Sequence, residues 1–223
     1  MTDLHSDAVA RLLARAGPPR DAVLRELDAR ADREGFPTVG PEVGRALALC
    51  VRLMGARTVL ELGSGFGYSA YWMARALPEG GRVTLTDRDA DRLADARSSF
   101  ERGGLADRAL FEHGDAVAFA EACTDRFDLV VLDHDTADYV RGFDAVRDLV
   151  VPGGAVVTDN VAAYGDVLTP DGLAATLDGE PAPNERTRLV ADFLDHVGAA
   201  PGFETYLLPL GEGMAVSCRV GRA

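Results

Sequence analysis

The sequence points to one doubly wound α/β domain, built on a Rossmann-like, mostly parallel sheet of seven strands with an antiparallel hairpin at its C-terminal end. Three features of the chain lead there. Five short apolar runs alternate with helix-period segments between Thr58 and Thr158, the signature of parallel strands joined by crossover helices. The first run ends in a glycine-rich turn, Gly63-Ser64-Gly65-Phe66-Gly67, as expected where a strand turns sharply into a helix. The last two apolar runs flank Leu210-Gly211-Glu212-Gly213, a spacing that closes a sheet with a hairpin.

Taken in order, residues 7–34 carry apolar side chains at helical spacing around Leu12, Leu13, Val23, Leu24 and Leu27, and Gly17-Pro18-Pro19 divides them into two helices. Pro41 opens a third helix that runs through Met54 and stops at Gly55. Residues 1–54 are thus N-terminal helices ahead of a core over 58–223, within a single domain spanning 1–223. The mostly polar first pair is a candidate lid or homodimer contact. Strands are expected at Thr58–Leu62, Val83–Thr86, Ala109–Glu112, Leu129–Leu132 and Ala155–Thr158, with helices at Ser69–Leu77, Asp89–Arg102, Ala116–Cys123 and Tyr139–Leu149 between them. Val130-Val131-Leu132 has no polar face, as expected of a central strand buried on both sides. Residues 163–183, rich in Gly, Pro and Asp, read as a long loop over the sheet. A helix from Glu185 to Val197 and strands at Phe203–Pro209 and Met214–Val220 complete the chain.

Composition narrows the classes of function. The chain has 223 residues, 47% apolar and 26% charged, the balance of an ordinary globular protein. No apolar run approaches the roughly 18–20 residues that span a bilayer, and the acidic start Met1-Thr2-Asp3-Leu4-His5 lacks the apolar core of a signal peptide. Cys50, Cys123 and Cys218 are far apart and fit no metal spacing, so they read as buried thiols in a reducing cytoplasm. The 36 acidic residues outnumber 23 basic ones, every one of them arginine. An acidic protein does not track a phosphate backbone, which argues against nucleic acid as a partner. A GC-rich genome would explain arginine in place of lysine but not the acid excess, whereas adaptation to high salt, where screening relieves repulsion among surface carboxylates, explains both.

The chemistry gathers at the strand ends. Glu61 precedes the glycine turn and Tyr68-Ser69 follow it. A dinucleotide site favours a small residue at Tyr68 and gains nothing from Glu61 beside an anionic pyrophosphate. A ligand carrying an ammonium and a sulfonium tolerates that glutamate well. The second strand ends in Asp87, placed to accept from ribose hydroxyls. His113-Gly114-Asp115-Ala116, Leu132-Asp133-His134-Asp135 and Thr158-Asp159-Asn160-Val161 follow strands three, four and five, so they can converge on one crevice. Asp133, Asp159 and Asn160 make a hard-oxygen set suited to Mg²⁺, Mn²⁺ or Ca²⁺. Taken singly, each acid also reads as a helix cap or turn former.

In these motifs the chain resembles the cation-dependent catechol and caffeoyl-CoA O-methyltransferases, class I S-adenosylmethionine-dependent enzymes. The resemblance runs from about Thr38 to Val220 and is carried by Leu60-Glu61-Leu62-Gly63 with Gly67-Tyr68-Ser69, by Leu132-Asp133-His134, by Asp159-Asn160-Val161 and by Pro209-Leu210-Gly211-Glu212-Gly213. It implies that Val39, Glu61, Ser69, Asp87 and Ala116 contact S-adenosylmethionine, that His134 lies near the adenine, and that Asp133, Asp159 and Asn160 hold a divalent cation, Mg²⁺ before Mn²⁺ or Ca²⁺. Gly63, Asp115 and Asp133 join the cofactor set from the same strand ends, and Asp133 and His134 are the candidate catalytic pair. The implied acceptor is a small molecule with a phenolic or vicinal-diol hydroxyl. Two positions depart from the pattern. Thr136 stands where the family carries a general-base lysine, and Ala215 aligns with an acidic residue that grips the second hydroxyl in catechol-methylating members. A cofactor-binding protein without turnover, or another nucleotide-crevice enzyme such as a dehydrogenase or an aminopropyl transferase, is the alternative.

Overall fold

The protein is described from a computed structural model covering residues 7–221; the N-terminal stretch Met1-Thr2-Asp3-Leu4-His5 lies outside the described residues. Seven strands, β1 (Thr58–Leu62), β2 (Arg82–Asp87), β3 (Ala109–His113), β4 (Phe127–Leu132), β5 (Val150–Thr158), β6 (Phe203–Leu208) and β7 (Met214–Arg219), form one sheet in the order β3-β2-β1-β4-β5-β7-β6. The first five are parallel, and β7 runs antiparallel between β5 and β6. After β3 the chain crosses back to the far side of β1. Parallel sheets open a crevice at such a reversal, outside the carboxyl ends of the strands.

Helices cover both faces, and the alternation of side chains along each strand sorts the core into two layers. On one side Val59, Leu129, Val131 and Val157 pack with α2 (Ala22–Glu34), α3 (Gly40–Met54), α4 (Tyr68–Ala76) and α5 (Ala90–Arg102). On the other, Leu60, Leu62, Val130, Leu132 and Val156 meet α6 (Ala116–Ala122), α7 (Tyr139–Val146) and α9 (Glu185–Gly198). β4 is buried on both faces, as its unbroken apolar run requires.

The N-terminal helices are tied to the sheet through the glycine-rich turn. The Tyr68 hydroxyl donates to Asp28 at 2.7 Å and Tyr71 to Asp21 at 3.2 Å, both from α4 to the α2 region. Phe36 stacks on Phe66 with ring centroids 4.8 Å apart, and a side chain at Gly65 would strike the Phe36 ring. This explains the bulky Tyr68 in a turn where a dinucleotide site favours a small residue: it anchors the N-terminal segment over the crevice.

Several expectations need correction. Residues 163–183 are not loop throughout, because Pro170–Leu177 forms α8, with Pro170 in its first turn and the Thr169 hydroxyl accepting from Gly172 N at 3.2 Å. Strand β5 begins at Val150, five residues early, and passes through Pro152-Gly153-Gly154 with a register shift against β4; α7 correspondingly ends at Val146. The three cysteines are free but only partly buried. Leu12 and Leu13 on α1 (Asp7–Ala16) and Leu49 and Leu53 on α3 remain exposed. Among the described residues, no helix is long and apolar enough to cross a membrane.

Candidate active site

The carboxyl ends of the central strands open onto a cavity of about 1400 Å³. Register places its walls. Leu62 pairs with Thr86 and Leu132, and Leu132 pairs with Thr158, so Gly63, Asp87, Asp133 and Asp159 emerge side by side. Val39, Gly63, Ser69, Asp87, Ala116, Asp133, His134, Asp159 and Asn160 all line the cavity. Sequence reasoning placed each of these in the site, and one crevice holds them.

Two expected residues lie outside the wall. Asp115 caps α6, its Oδ1 accepting from Ala118 N at 2.9 Å, and pairs with Arg88 at 2.6 Å. Glu61 is fully buried behind the glycine turn, and neither carboxylate oxygen has a directed hydrogen-bond partner. Burial pushes its pKa up to about 8; the nearby Ser69 hydroxyl eases the charge, while Asp133 and Asp87 oppose it. A carboxylate left so short of partners suits a ligand that brings a cation to this turn.

The turn itself is shaped for close approach. Gly63 adopts φ 86°, and a side chain there would collide with the Asp133 backbone. Asp87 Oδ2 accepts from Gly65 N at 2.7 Å and its Oδ1 from Asp89 N at 2.8 Å. Asp87 therefore holds the turn in shape from the cavity wall. His134 Nε2 lies 3.2 Å from the Asp138 carbonyl oxygen; since a carbonyl can only accept, that nitrogen carries the proton, and Nδ1 is a bare, buried acceptor. Burial also lowers the ring's pKa, so it is neutral.

At the β5 end, burial raises Asp133 to about 6. Burial and then the neighbouring Asp133 raise Asp159 to about 7, with Asn160 N–H opposing and Glu212 adding to the shift. Asp159 Oδ1 is buried without a partner. Asn160 is held at φ 59°, a left-handed conformation that asparagine tolerates, and its Nδ2 donates to Glu212 Oε2 at 2.7 Å. Two crowded carboxylates and an amide oxygen fit a hard divalent cation that takes its remaining ligands from water and substrate. Among the described residues, no cluster of three or more His, Cys, Asp and Glu side chains is arranged to bind a metal; this set reaches three only by counting the amide.

The profile of a protein family described as O-methyltransferase matches residues 20–220. The chain belongs to this family. Catechol O-methyltransferase from Niastella koreensis is 33% identical over 165 residues, 71% of this chain and 74% of that protein. Tricin synthase 1 from Oryza sativa subsp. japonica is 29% identical over 232 residues, covering 98% and 90%. The crystal structure of the O-methyltransferase from Bacillus cereus in complex with SAH superposes with a TM-score of 0.80 at 27% identity, over 95% of this chain and 97% of that one. Membership makes this protein an S-adenosylmethionine-dependent O-methyltransferase.

Within this O-methyltransferase, the Thr136 side chain is buried at the start of a short 3-10 turn, which leads into Tyr139, whose hydroxyl donates to Asp159 O at 3.1 Å. Among the wall residues that escaped sequence reasoning are Tyr164, Arg186 and Glu212. Glu212 sat within a motif read only for its hairpin spacing. Arg186 did carry a signal, a cation in the first turn of a helix, where the macrodipole disfavours it.

Proposed function

We propose that this enzyme transfers a methyl group from S-adenosylmethionine to a cation-chelated hydroxyl of a small phenolic or vicinal-diol acceptor. The observation that carries the reading is the junction of two half-sites in one cavity: the glycine turn with Ser69 and Asp87, backed by the unpartnered Glu61, and the oxygen set of Asp133, Asp159 and Asn160, in which Asp159 Oδ1 is buried without a partner. Ser69, at the start of α4, faces the methionine end of the donor, with Glu61 beneath to oppose its ammonium. Asp87 accepts from the ribose, and the bare Nδ1 of His134 faces the adenine side. Asp133, Asp159 and the Asn160 oxygen would hold the cation, which when bound supplies Lewis acidity toward an acceptor hydroxyl.

The chain's own residues then fix geometry. Gly63 lets the backbone of Asp133 pack directly against the turn, and Asn160, clamped by Glu212, presents its oxygen to the acceptor end. Holding donor and acceptor in line removes much of the entropic barrier to transfer. Burial holds the Tyr139 hydroxyl far above its ordinary range, and Asp135 Oδ1 accepts from Ala137 N at 3.0 Å. Neither is poised to take a proton, and the His134 Nδ1, shut off from solvent in a ring whose basicity burial lowers, is not either.

Methyl transfer measured over a panel of vicinal hydroxyl compounds, with and without chelator, tests the reading. Activity that needs added Mg²⁺ or Mn²⁺ supports it. Cofactor binding with no transfer to any diol favours a protein without turnover, and full activity in excess EDTA assigns a metal-independent reaction.

A further inference from the structure

We propose that Arg186 is the acceptor-recognition residue and that the acceptor is a hydroxy-aromatic carrying a carboxylate. The inference rests on the reading of the site given above and names its substrate class. Arg186 stands in the cavity wall at the β5 end, with Asp159, Asn160, Tyr164 and Glu212. Its guanidinium carbon lies 3.7 Å over the Tyr164 ring, a cation–π contact that fixes the plane of the group. Its Nε is shut off from solvent and has no hydrogen-bond partner.

The other arginines of the cavity wall are already committed. Arg88 pairs with Asp115 at 2.6 Å and Arg92 with Asp89 at 3.3 Å. The α9 acids Glu185 and Asp192 pair with Arg188, at 3.5 and 2.7 Å. Among the described residues, Arg186 makes no ion pair of its own.

Helix stability does not explain the placement. Arg186 is the second residue of α9, at the positive end of the macrodipole, where an acid is favoured and a cation is not. The start of α9 is capped independently by Asn184, whose Oδ1 accepts from Thr187 N at 2.9 Å. A guanidinium with a fixed plane and a buried, unused N–H matches the two-oxygen fork of a carboxylate. Asp133, Asp159 and Glu212 would otherwise repel such an acceptor, so a fixed cation in this wall is what admits it. The diol is then held at one end by the oxygen set and the acid at the other by Arg186.

Calorimetry on enzyme loaded with Mg²⁺ and S-adenosylhomocysteine tests this, comparing catechol with a dihydroxybenzoate that adds one carboxylate to the same ring. The wild type is expected to bind the dihydroxybenzoate at least about tenfold more tightly. Arg186→Gln loses that preference with catechol affinity unchanged, and Arg186→Lys keeps part of it. Unchanged affinity for S-adenosylhomocysteine establishes that Arg186→Gln is folded. Equal binding of the two compounds by wild type, no binding of either, or parallel loss of both in Arg186→Gln overturns the inference. A carboxylate preference without methyl transfer to any diol overturns the proposed diol acceptor and leaves Arg186 standing; transfer without preference does the reverse.

Discussion

The Asn160 side-chain nitrogen donates to Glu212 Oε2 across 2.7 Å, joining the end of β5 to the turn between β6 and β7. Backbone bonds reinforce the join: Val161 N donates to Gly213 O at 3.0 Å, and Ala162 and Ala163 donate to Glu212 O at 3.0 and 2.8 Å. The amide is thereby oriented with its oxygen available to a cation. Groups that orient metal ligands affect affinity about 10–100-fold when removed. Glu212→Ala is therefore expected to weaken Mn²⁺ binding by about that factor in calorimetry, with S-adenosylhomocysteine affinity unchanged. Equal Mn²⁺ affinity in variant and wild type would make the contact a hairpin fastener only.

In the proposed function, protons and a cation compete for the same carboxylates. Asp133 is raised to about 6 and Asp159 to about 7, chiefly by burial, and both must be ionised to serve as ligands. Mn²⁺ affinity should therefore rise steadily from about pH 5.5 to about pH 8 and level off above. Asp159→Asn should abolish binding across the range while leaving the affinity for S-adenosylhomocysteine nearly intact. Mn²⁺ affinity flat with pH, or retained in Asp159→Asn, would reduce these residues to strand-end caps.

Glu61 predicts a stability signature. Its pKa is raised from 4.5 unfolded to about 8 folded, so the folded state prefers the protonated acid. With no ligand bound, the ionised form costs stability progressively as pH rises from 4.5 to about 8, and below 4.5 the cost is absent. Glu61→Gln should thus match wild type in acid and be more stable above neutrality, by roughly 1.4 kcal/mol for each pKa unit of displacement. S-adenosylmethionine, whose ammonium offsets the charge, should raise the melting temperature of wild type more than that of the variant. Parallel melting curves across this range would show that Glu61 is already neutralised by the chain.

Asp87 holds the turn and, in the proposed function, the ribose as well. Asp87→Ala loses the Gly65 and Asp89 contacts together and should weaken S-adenosylmethionine at least tenfold, about 1.4 kcal/mol. Asp87→Asn keeps an oxygen for one backbone N–H and should fall between. Wild-type affinity in Asp87→Ala, measured by calorimetry, would exclude both roles.

The glycine turn, Asp87 and the acid pairs were legible because each needs a particular residue type at a strand end, and strand ends follow from the period of the apolar runs. Helix α8 escaped because Gly172 and the surrounding prolines mask an ordinary Thr169-Pro170 helix start, and only the Thr169 cap bond shows it. The extension of β5 across Pro152-Gly153-Gly154 depends on a register shift that no local pattern announces. Arg186 and Glu212 reach the site from elements distant in the chain, so their convergence on Asn160 and Tyr164 is a product of tertiary packing. Conversely, Asp115 was placed with the cofactor set by its position after β3, whereas its side chain is used by α6 and Arg88.

The surface charge yields the last prediction. The chain carries a formal net charge of −13 with 36 acids and no lysine, and most ion pairs that offset it are exposed arginine–carboxylate contacts such as Arg141 with Glu121 and Arg188 with Asp192. Exposed pairs of this kind contribute little individually and weaken with salt. Repulsion among the unpaired acids is longer in range and is relieved by the same screening. If repulsion dominates, molar KCl should raise the melting temperature and support activity. The control is a choline salt of equal ionic strength: screening raises stability in both, whereas specific potassium binding raises it in KCl alone. A melting temperature that falls or stays flat in both salts would mean that the pairs outweigh the repulsion, and arginine in place of lysine would then reflect genome composition, not adaptation to salt.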